Sequence, residues 1–174
     1  MKKTGRFLTA AAVMLMVAAA PMTSYAWGLK SSAKETTAAA AETKYDFVSG
    51  TTTISMGTEA APVLKDLGKA EKTFEQDSCA YQGKDKVYTY KGFELSTYPV
   101  KNKETIASVY FLDDTVATPE GIKLGSKKQD IINAYGACSD VQFGVYHYKA
   151  GETELVIYTT NDIVDAVEYL VIAK

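Results

Sequence analysis

The sequence predicts an α+β fold made of two tandem copies of a helix packed on a short antiparallel β-sheet meander. A strand–turn–helix pattern with two glycines 11 residues apart occurs at residues 54–68 and again at 122–136, an offset of 68 residues. Each copy is followed by three runs rich in aromatic and β-branched residues, which is typical of strands. Together these observations predict a duplicated unit.

The composition is that of an ordinary soluble globular protein. The chain has 174 residues, of which 47% are apolar and 23% are charged. This length suits one domain or two small ones, and these fractions exclude collagen, a disordered tail and a multi-span membrane protein.

Residues 1–26 are predicted to be a signal peptide. Three basic residues precede an apolar run over 7–20, and small residues at Ser24 and Ala26 occupy the positions that signal peptidase reads. The alternative is an uncleaved anchor, but a run of 14 residues is short for about 30 Å of hydrocarbon. We therefore expect a secreted protein with no stable membrane insertion after signal cleavage.

The predicted mature chain begins near Trp27 with a leader at residues 27–44. This leader is small and polar and has no periodic apolar face, so we expect it to be flexible. Without the signal, 16 lysines stand against 21 acidic side chains, a net charge of −5, and the only arginine, Arg6, is lost. A nucleic-acid partner is excluded, because such proteins need a basic surface and usually guanidinium groups.

Each copy begins with a short strand end and a helix N-terminus. Thr58 and Ser126 stand at the expected N-cap, and Ser126 with Gln129 fits a capping box. Gly68 and Gly136 stand where a helix ends by entering left-handed backbone space. Apolar residues at i, i+1 and i+4 share one helix face: Val63, Leu64 and Leu67 in the first copy, and Ile131, Ile132 and Tyr135 in the second.

After each helix the sequence predicts a meander of three strands. The predicted strands are 86–90, 93–98 and 106–112 in the first copy, and 145–148, 153–158 and 164–170 in the second. The corresponding units are a first α+β repeat at residues 45–114, a hinge at 115–121 and a second α+β repeat at 122–174.

The glycine-bounded helix followed by strands, present twice over residues 54–172, resembles the tandem architecture of the β-lactamase inhibitor proteins and of related small envelope lipoproteins of the outer-membrane assembly machinery. Residues 78–94 and 118–122 are also similar to secreted proteins of anaerobic Gram-positive bacteria. The resemblance implies a binding or inhibitory role. No loop motif matches residue by residue, so no inhibitory residue is carried over.

Few residues point to catalysis or metal binding. His147 is the only histidine and has no recognisable nucleophile or carboxylate partner at a known spacing, which favours a structural role. Neither Asp113–Asp114 nor Asn161–Asp162 has the alternating oxygen ligands of a calcium loop, so both are interpreted as turns. We predict no catalytic residue, no metal and no cofactor.

Tyrosine is the residue in excess. Tyrosine suits a partly solvated recognition surface because its ring is apolar and its hydroxyl is polar, although tyrosine is also common in strands without any binding role. The first hypothesis is a secreted, non-enzymatic binding module with an extracellular or cell-envelope protein partner; the alternatives are an inhibitor of an extracellular enzyme and, less favoured, a small hydrolase. The candidate binding residues fall on corresponding predicted strands: Tyr88, Tyr90, Tyr98, Tyr146, Tyr148 and Tyr158.

The two cysteines are predicted to form a disulfide. Cys79 and Cys138 both survive signal removal, and export permits oxidation. Both lie after a predicted helix, so a bond would join the two copies at matching ends. Two free thiols are the alternative.

Overall fold

The computed structural model describes residues 44–172, which fold into ten strands and two short helices. The elements are β1 (Phe47–Ser49), β2 (Thr52–Ile54), α1 (Ala60–Leu67), β3 (Lys72–Asp77), β4 (Lys84–Tyr90), β5 (Phe93–Val100), β6 (Lys103–Phe111), α2 (Lys128–Tyr135), β7 (Val141–Gln142), β8 (Val145–Ala150), β9 (Thr153–Thr160) and β10 (Ile163–Val171).

Eight of the strands form one antiparallel sheet in the order β3-β4-β5-β6-β10-β9-β8-β7, and β1 and β2 form a separate hairpin. The prediction of an α+β fold with two helix-on-sheet repeats is therefore wrong, and the protein is mostly β. The finding that overturns it is the pairing of β6 with β10, in which Val109 lies opposite Tyr169. This pairing merges what the sequence suggested were two short sheets into one.

One hydrophobic core lies against a single face of this sheet. Phe47 of the hairpin is fully buried and packs on Phe93, Phe111 and Tyr169, with ring centroids 5.1, 5.1 and 5.9 Å away. Since these three rings come from β5, β6 and β10, the side chain of Phe47 covers the place where the two halves of the sheet meet.

Both helices end at the predicted glycine but begin one residue later than predicted. The N-caps are Glu59 and Lys127, so the expectation of N-caps at Thr58 and Ser126 is wrong. The Asp130 carboxylate, rather than Gln129, accepts a hydrogen bond from the Lys127 N–H at 2.9 Å. The acidic side chain three residues into the helix thus satisfies a donor that the helix itself leaves free.

Gly68 and Gly136 confirm the predicted positive φ at the helix ends. Their φ values are 75° and 80°, and their N–H groups donate to the carbonyls of Leu64 and Ile132. Their ψ values of −155° and −175° lie outside the left-handed helical region. This combination of angles is essentially restricted to glycine.

The six predicted meander strands all lie within or largely overlap observed strands, but the first strand after each helix was not predicted. These are β3 and β7, which form the two edges of the sheet. The segment 115–121 is held by buried Thr118, whose hydroxyl accepts from the Ile122 N–H at 3.1 Å. The repeat boundaries and the hinge stay predictions.

The signal peptide at 1–26 and almost all of the leader at 27–44 lie outside the described residues. Within residues 44–172, neither helix is long and apolar enough to cross a membrane.

Candidate functional site

The eight-stranded sheet has two unlike faces. Its covered face carries the hairpin, both helices and the core, and one row of cross-strand neighbours on it is Tyr88, Leu95, Val109, Tyr169, Leu155 and Tyr148. Its open face has no helix on it, and the corresponding row is Lys72, Thr89, Glu94, Tyr110, Glu168, Val156 and His147.

The structure does not bring the six candidate tyrosines together. Alternation along the strands places two of them, Tyr98 and Tyr158, on the open face. The other four lie on the covered face: Tyr88, Tyr90, Tyr146 and Tyr148, of which the last three are buried. The six tyrosines therefore do not share one face, and their role in binding stays a prediction.

Two of the tyrosines on the covered face form hydrogen bonds to the helix ends. Tyr90 donates from its hydroxyl to the Gly68 carbonyl at 3.4 Å, and Tyr148 donates to the Gly136 carbonyl at 3.0 Å. Each hydroxyl thus satisfies a carbonyl left free at a helix end. Burial, with Cys138 nearby, raises the pKa of Tyr148 to about 12, so the hydroxyl stays a donor at neutral pH.

The predicted disulfide between Cys79 and Cys138 is also wrong, because both thiols are free. Cys79 lies in the β3–β4 loop at one edge of the sheet, and Cys138 precedes β7 at the other. Eight strands at about 4.8 Å spacing put these edges about 30 Å apart, far beyond the reach of a disulfide. The prediction failed because β3, which moves Cys79 away from the helix end, was not expected. Cys138 Sγ instead lies within hydrogen-bond distance of the backbone carbonyls of Asp140 and His147, at 3.2 and 3.3 Å.

The open face contains a groove between the middle of the sheet and the β7–β8 turn. Its volume is about 510 Å³, and it is lined by both apolar or aromatic and polar side chains. The lining residues are Tyr110, Phe143, Val145, Tyr158, Thr159, Thr160, Asp165 and Ala166. Of the six candidate tyrosines, Tyr158 lines this groove.

Phe143 stands at the rim of this groove and is the most exposed large apolar side chain of the described residues, with a relative exposure of 104%. Its φ is 51°, a region that a residue with a Cβ rarely occupies. Two hydrogen bonds to β9 fix this turn. The Gly144 carbonyl accepts them from the Thr159 N–H at 2.9 Å and from the Thr159 hydroxyl at 2.8 Å. The protein therefore holds a phenyl ring in solvent at the end of a fixed turn.

Glu168 lies in the open-face row between Tyr110 and Val156. Burial raises the pKa of its carboxyl group above the ordinary value, in part offset by a hydrogen bond with Ser108. The neighbouring Val156 is only 2% exposed although no helix covers it. The centre of the open face is thus a partly desolvated surface on which the Glu168 carboxylate lies beside the Tyr110 ring.

His147 pairs with a carboxylate on the same face. Its Nδ1 lies 2.9 Å from Glu154 Oε1, and Lys149 joins Asp140 at 3.0 Å beside them. Among residues 44–172, no hydroxyl or thiol is hydrogen-bonded to the imidazole, and no group of three or more metal-binding side chains lies together. The pair crosslinks β8 to β9.

Phe143 and Glu168 were not singled out in the sequence. A signal for the first exists: Phe143–Gly144 stands between two short β-like stretches, as a two-residue hairpin loop would. No signal marks Glu168, because its surroundings depend on the pairing of β10 with β6.

Comparison with known proteins gives a distant likeness in structure alone. No protein-family model and no curated protein sequence matches the chain. A cysteine-rich secretory protein of Staphylococcus aureus is 18% identical with a TM-score of 0.47 over 67% of this chain. The chain spans 44% of that protein's length. A DUF4309 family protein of Bacillus subtilis is 18% identical with a TM-score of 0.38, over 66% of this chain and 78% of its own. At these scores neither likeness carries an argument about function.

Proposed function

We propose that the protein is a secreted, non-enzymatic binding module that holds an extracellular or cell-envelope protein on the open face of its sheet. The observation that carries this proposal is Phe143, a fully exposed ring fixed by a turn in a costly backbone conformation. Strained backbone and exposed apolar side chains both concentrate at binding sites. The export signal expected at residues 1–26 supports the extracellular placement.

The groove favours a partner that presents an apolar side chain next to a basic one. The apolar side chain would pack between Phe143 and the rings of Tyr110 and Tyr158, which offer large rigid surfaces at low entropic cost. A lysine or arginine beside it would reach Glu168, whose partly buried carboxylate lacks a cationic partner among the described residues. The net charge of −5 expected for the mature chain favours such a partner at longer range.

The test is affinity capture from the envelope and culture medium of the producing organism, followed by titration with the captured protein. Phe143→Ser and Tyr110→Ser should each weaken binding at least tenfold, which corresponds to about 1.4 kcal/mol. Val48→Ser removes an exposed apolar side chain of the β1–β2 hairpin, outside the groove, and is the matched control. An unchanged affinity for the Phe143 variant would contradict the proposal.

Glu168 gives a second readout of the same site. Because the pKa of this carboxyl group is raised, its negative charge is lost at a higher pH than that of an ordinary glutamate. Binding of a basic partner should weaken as pH falls through that raised pKa, and Glu168→Gln should remove this part of the pH dependence. If the captured protein is an enzyme that loses activity at one-to-one stoichiometry, the protein is an inhibitor, the alternative function.

A further inference from the structure

The edge strand β3 is built to pair with another strand. All six of its residues are exposed, and it contains neither proline nor a break in its register with β4. Phe74 lies in its middle with 61% of its surface exposed. Edge strands of this length and regularity are templates for strand addition unless something blocks them. The opposite edge, β7, is only two residues long.

The free hydrogen-bonding groups of β3 can be assigned from its pairing with β4. The Ser78 N–H donates to the Gly83 carbonyl at 3.0 Å, so this pair is hydrogen-bonded and continues the ladder. Hydrogen-bonded pairs alternate along antiparallel strands. Lys72, Phe74 and Gln76 therefore bond to β4, whereas Thr73 and Glu75 point their N–H and C=O groups away from the sheet.

We infer that β3 pairs with β3 of a second copy of this chain, in an antiparallel arrangement centred on Phe74. A two-fold axis perpendicular to the sheet keeps each side chain on its own face, so only residues of equal parity can lie opposite each other. Centring on Phe74 places Thr73 opposite Glu75 of the second copy and pairs their outward-pointing backbone groups. It also places the two Phe74 rings opposite each other in a non-hydrogen-bonded pair, where side chains are closest.

The pairs formed within β3 favour this register over the one centred on Glu75. Centring on Glu75 would set two like carboxylates opposite each other, which is destabilising. Centring on Phe74 sets Lys72 opposite Gln76 and buries two phenyl rings instead. Strands β3 and β4 together carry three lysines and three acidic residues, so this edge of a net-negative chain has no net charge. Asp77 would lie opposite Glu71, which precedes β3, and these like charges should end the ladder at Lys72 and Gln76.

The pairing joins two eight-stranded sheets into one and places both open faces on the same side. It uses an edge of the sheet far from the groove of the proposed function, so either inference can fail without the other.

Cysteine crosslinking tests the register directly. In a Cys79→Ser, Cys138→Ser background, Phe74→Cys should form a covalent dimer on mild oxidation, because Cβ atoms in such a pair lie about 4.5–5.5 Å apart. Thr73→Cys is the matched control and should crosslink only weakly to itself, but it should crosslink to a Glu75→Cys chain mixed with it. Equal crosslinking of the Phe74 and Thr73 variants would overturn the register.

Sedimentation velocity of the protein without cysteine changes tests the association. The weight-average mass should rise towards twice the monomer mass with concentration. Thr73→Pro should abolish this rise, because proline removes an outward N–H and is tolerated at edge strands. Phe143→Ser, which removes the other highly exposed phenyl ring, should leave it unchanged. A mass that stays monomeric at every concentration, with no crosslinking of the Phe74 variant, would overturn the inference.

Discussion

The halves of the sheet that follow α1 and α2 have the same interior but different edges. In each half a helix ends at a glycine with positive φ, and a buried tyrosine donates to that glycine's carbonyl. At the edges, β3 and β4 form a long hairpin with an exposed outer strand, whereas β7 has two residues and ends at the exposed Phe143. The interior contacts maintain the fold, and the differences lie where another molecule could bind.

The largest expected effect tests whether the two halves are one cooperative unit. Phe47→Ala should lower the free energy of unfolding by about 3–5 kcal/mol, because it leaves a cavity where β5, β6 and β10 meet. Urea denaturation followed by fluorescence and by far-UV circular dichroism should give one coincident transition. The half-exposed neighbour Val48 is the control, and Val48→Ala should cost less than about 0.5 kcal/mol. Two separate transitions would show that the halves unfold independently.

A smaller effect tests the glycine ends of the helices. Gly68→Ala and Gly136→Ala should each cost about 1–3 kcal/mol, because their φ and ψ values fall in a region essentially restricted to glycine. No atom other than chain neighbours lies within 4 Å of a Cβ added at either position, so the cost is conformational rather than steric. Asparagine tolerates the left-handed helical region but not this one, so Gly136→Asn should be no better than Gly136→Ala. Recovery of the denaturation midpoint by asparagine would place the residue in the left-handed helical region instead.

The tyrosine hydroxyls distinguish the two halves more finely. Tyr148→Phe should cost about 1 kcal/mol, because it removes a 3.0 Å hydrogen bond to the Gly136 carbonyl. Tyr90→Phe should cost less, because its bond to the Gly68 carbonyl is longer, at 3.4 Å. Tyr98→Phe, on the open face, is the control. Equal losses for Tyr90 and Tyr148 in urea denaturation would show that the difference in bond length has no energetic meaning.

The interior was largely predictable from the sequence, because its signals are local. Alternating apolar residues marked six strands, and the helix-end glycines were recognised from their spacing. The edges were not predictable in the same way. The β3 sequence from Lys72 to Asp77 has no alternation of apolar and polar residues, because both faces of this strand are exposed. It forms a strand because its backbone pairs with that of β4.

Single-sheet architecture and the open face depend on contacts that no local pattern specifies. Each meander pattern is compatible with a separate sheet, and only the register of Val109 with Tyr169 joins the two. The same register sets Glu168 beside Tyr110. Likewise, the sequence shows that Tyr146 and Tyr148 share a face, but it does not show that α2 covers it.

The smallest expected effect concerns Glu168 on the open face. Burial destabilises the charged form of its carboxyl group. Between the ordinary pKa of 4.5 and the raised native pKa, the folded protein holds a proton that the unfolded chain has lost. Stability from this group therefore falls as pH rises through that window. Glu168→Gln should unfold at a higher urea concentration than the unsubstituted protein at pH 7, with the difference shrinking as pH falls towards 4.5. Asp140→Asn is the control of opposite sign, because its hydrogen bond with Lys149 lowers the pKa of Asp140 and so adds stability at neutral pH. A Glu168→Gln variant that is destabilised at pH 7 would mean that the carboxylate has a favourable partner in the folded protein, and that the open face offers no unsatisfied charge to a basic ligand.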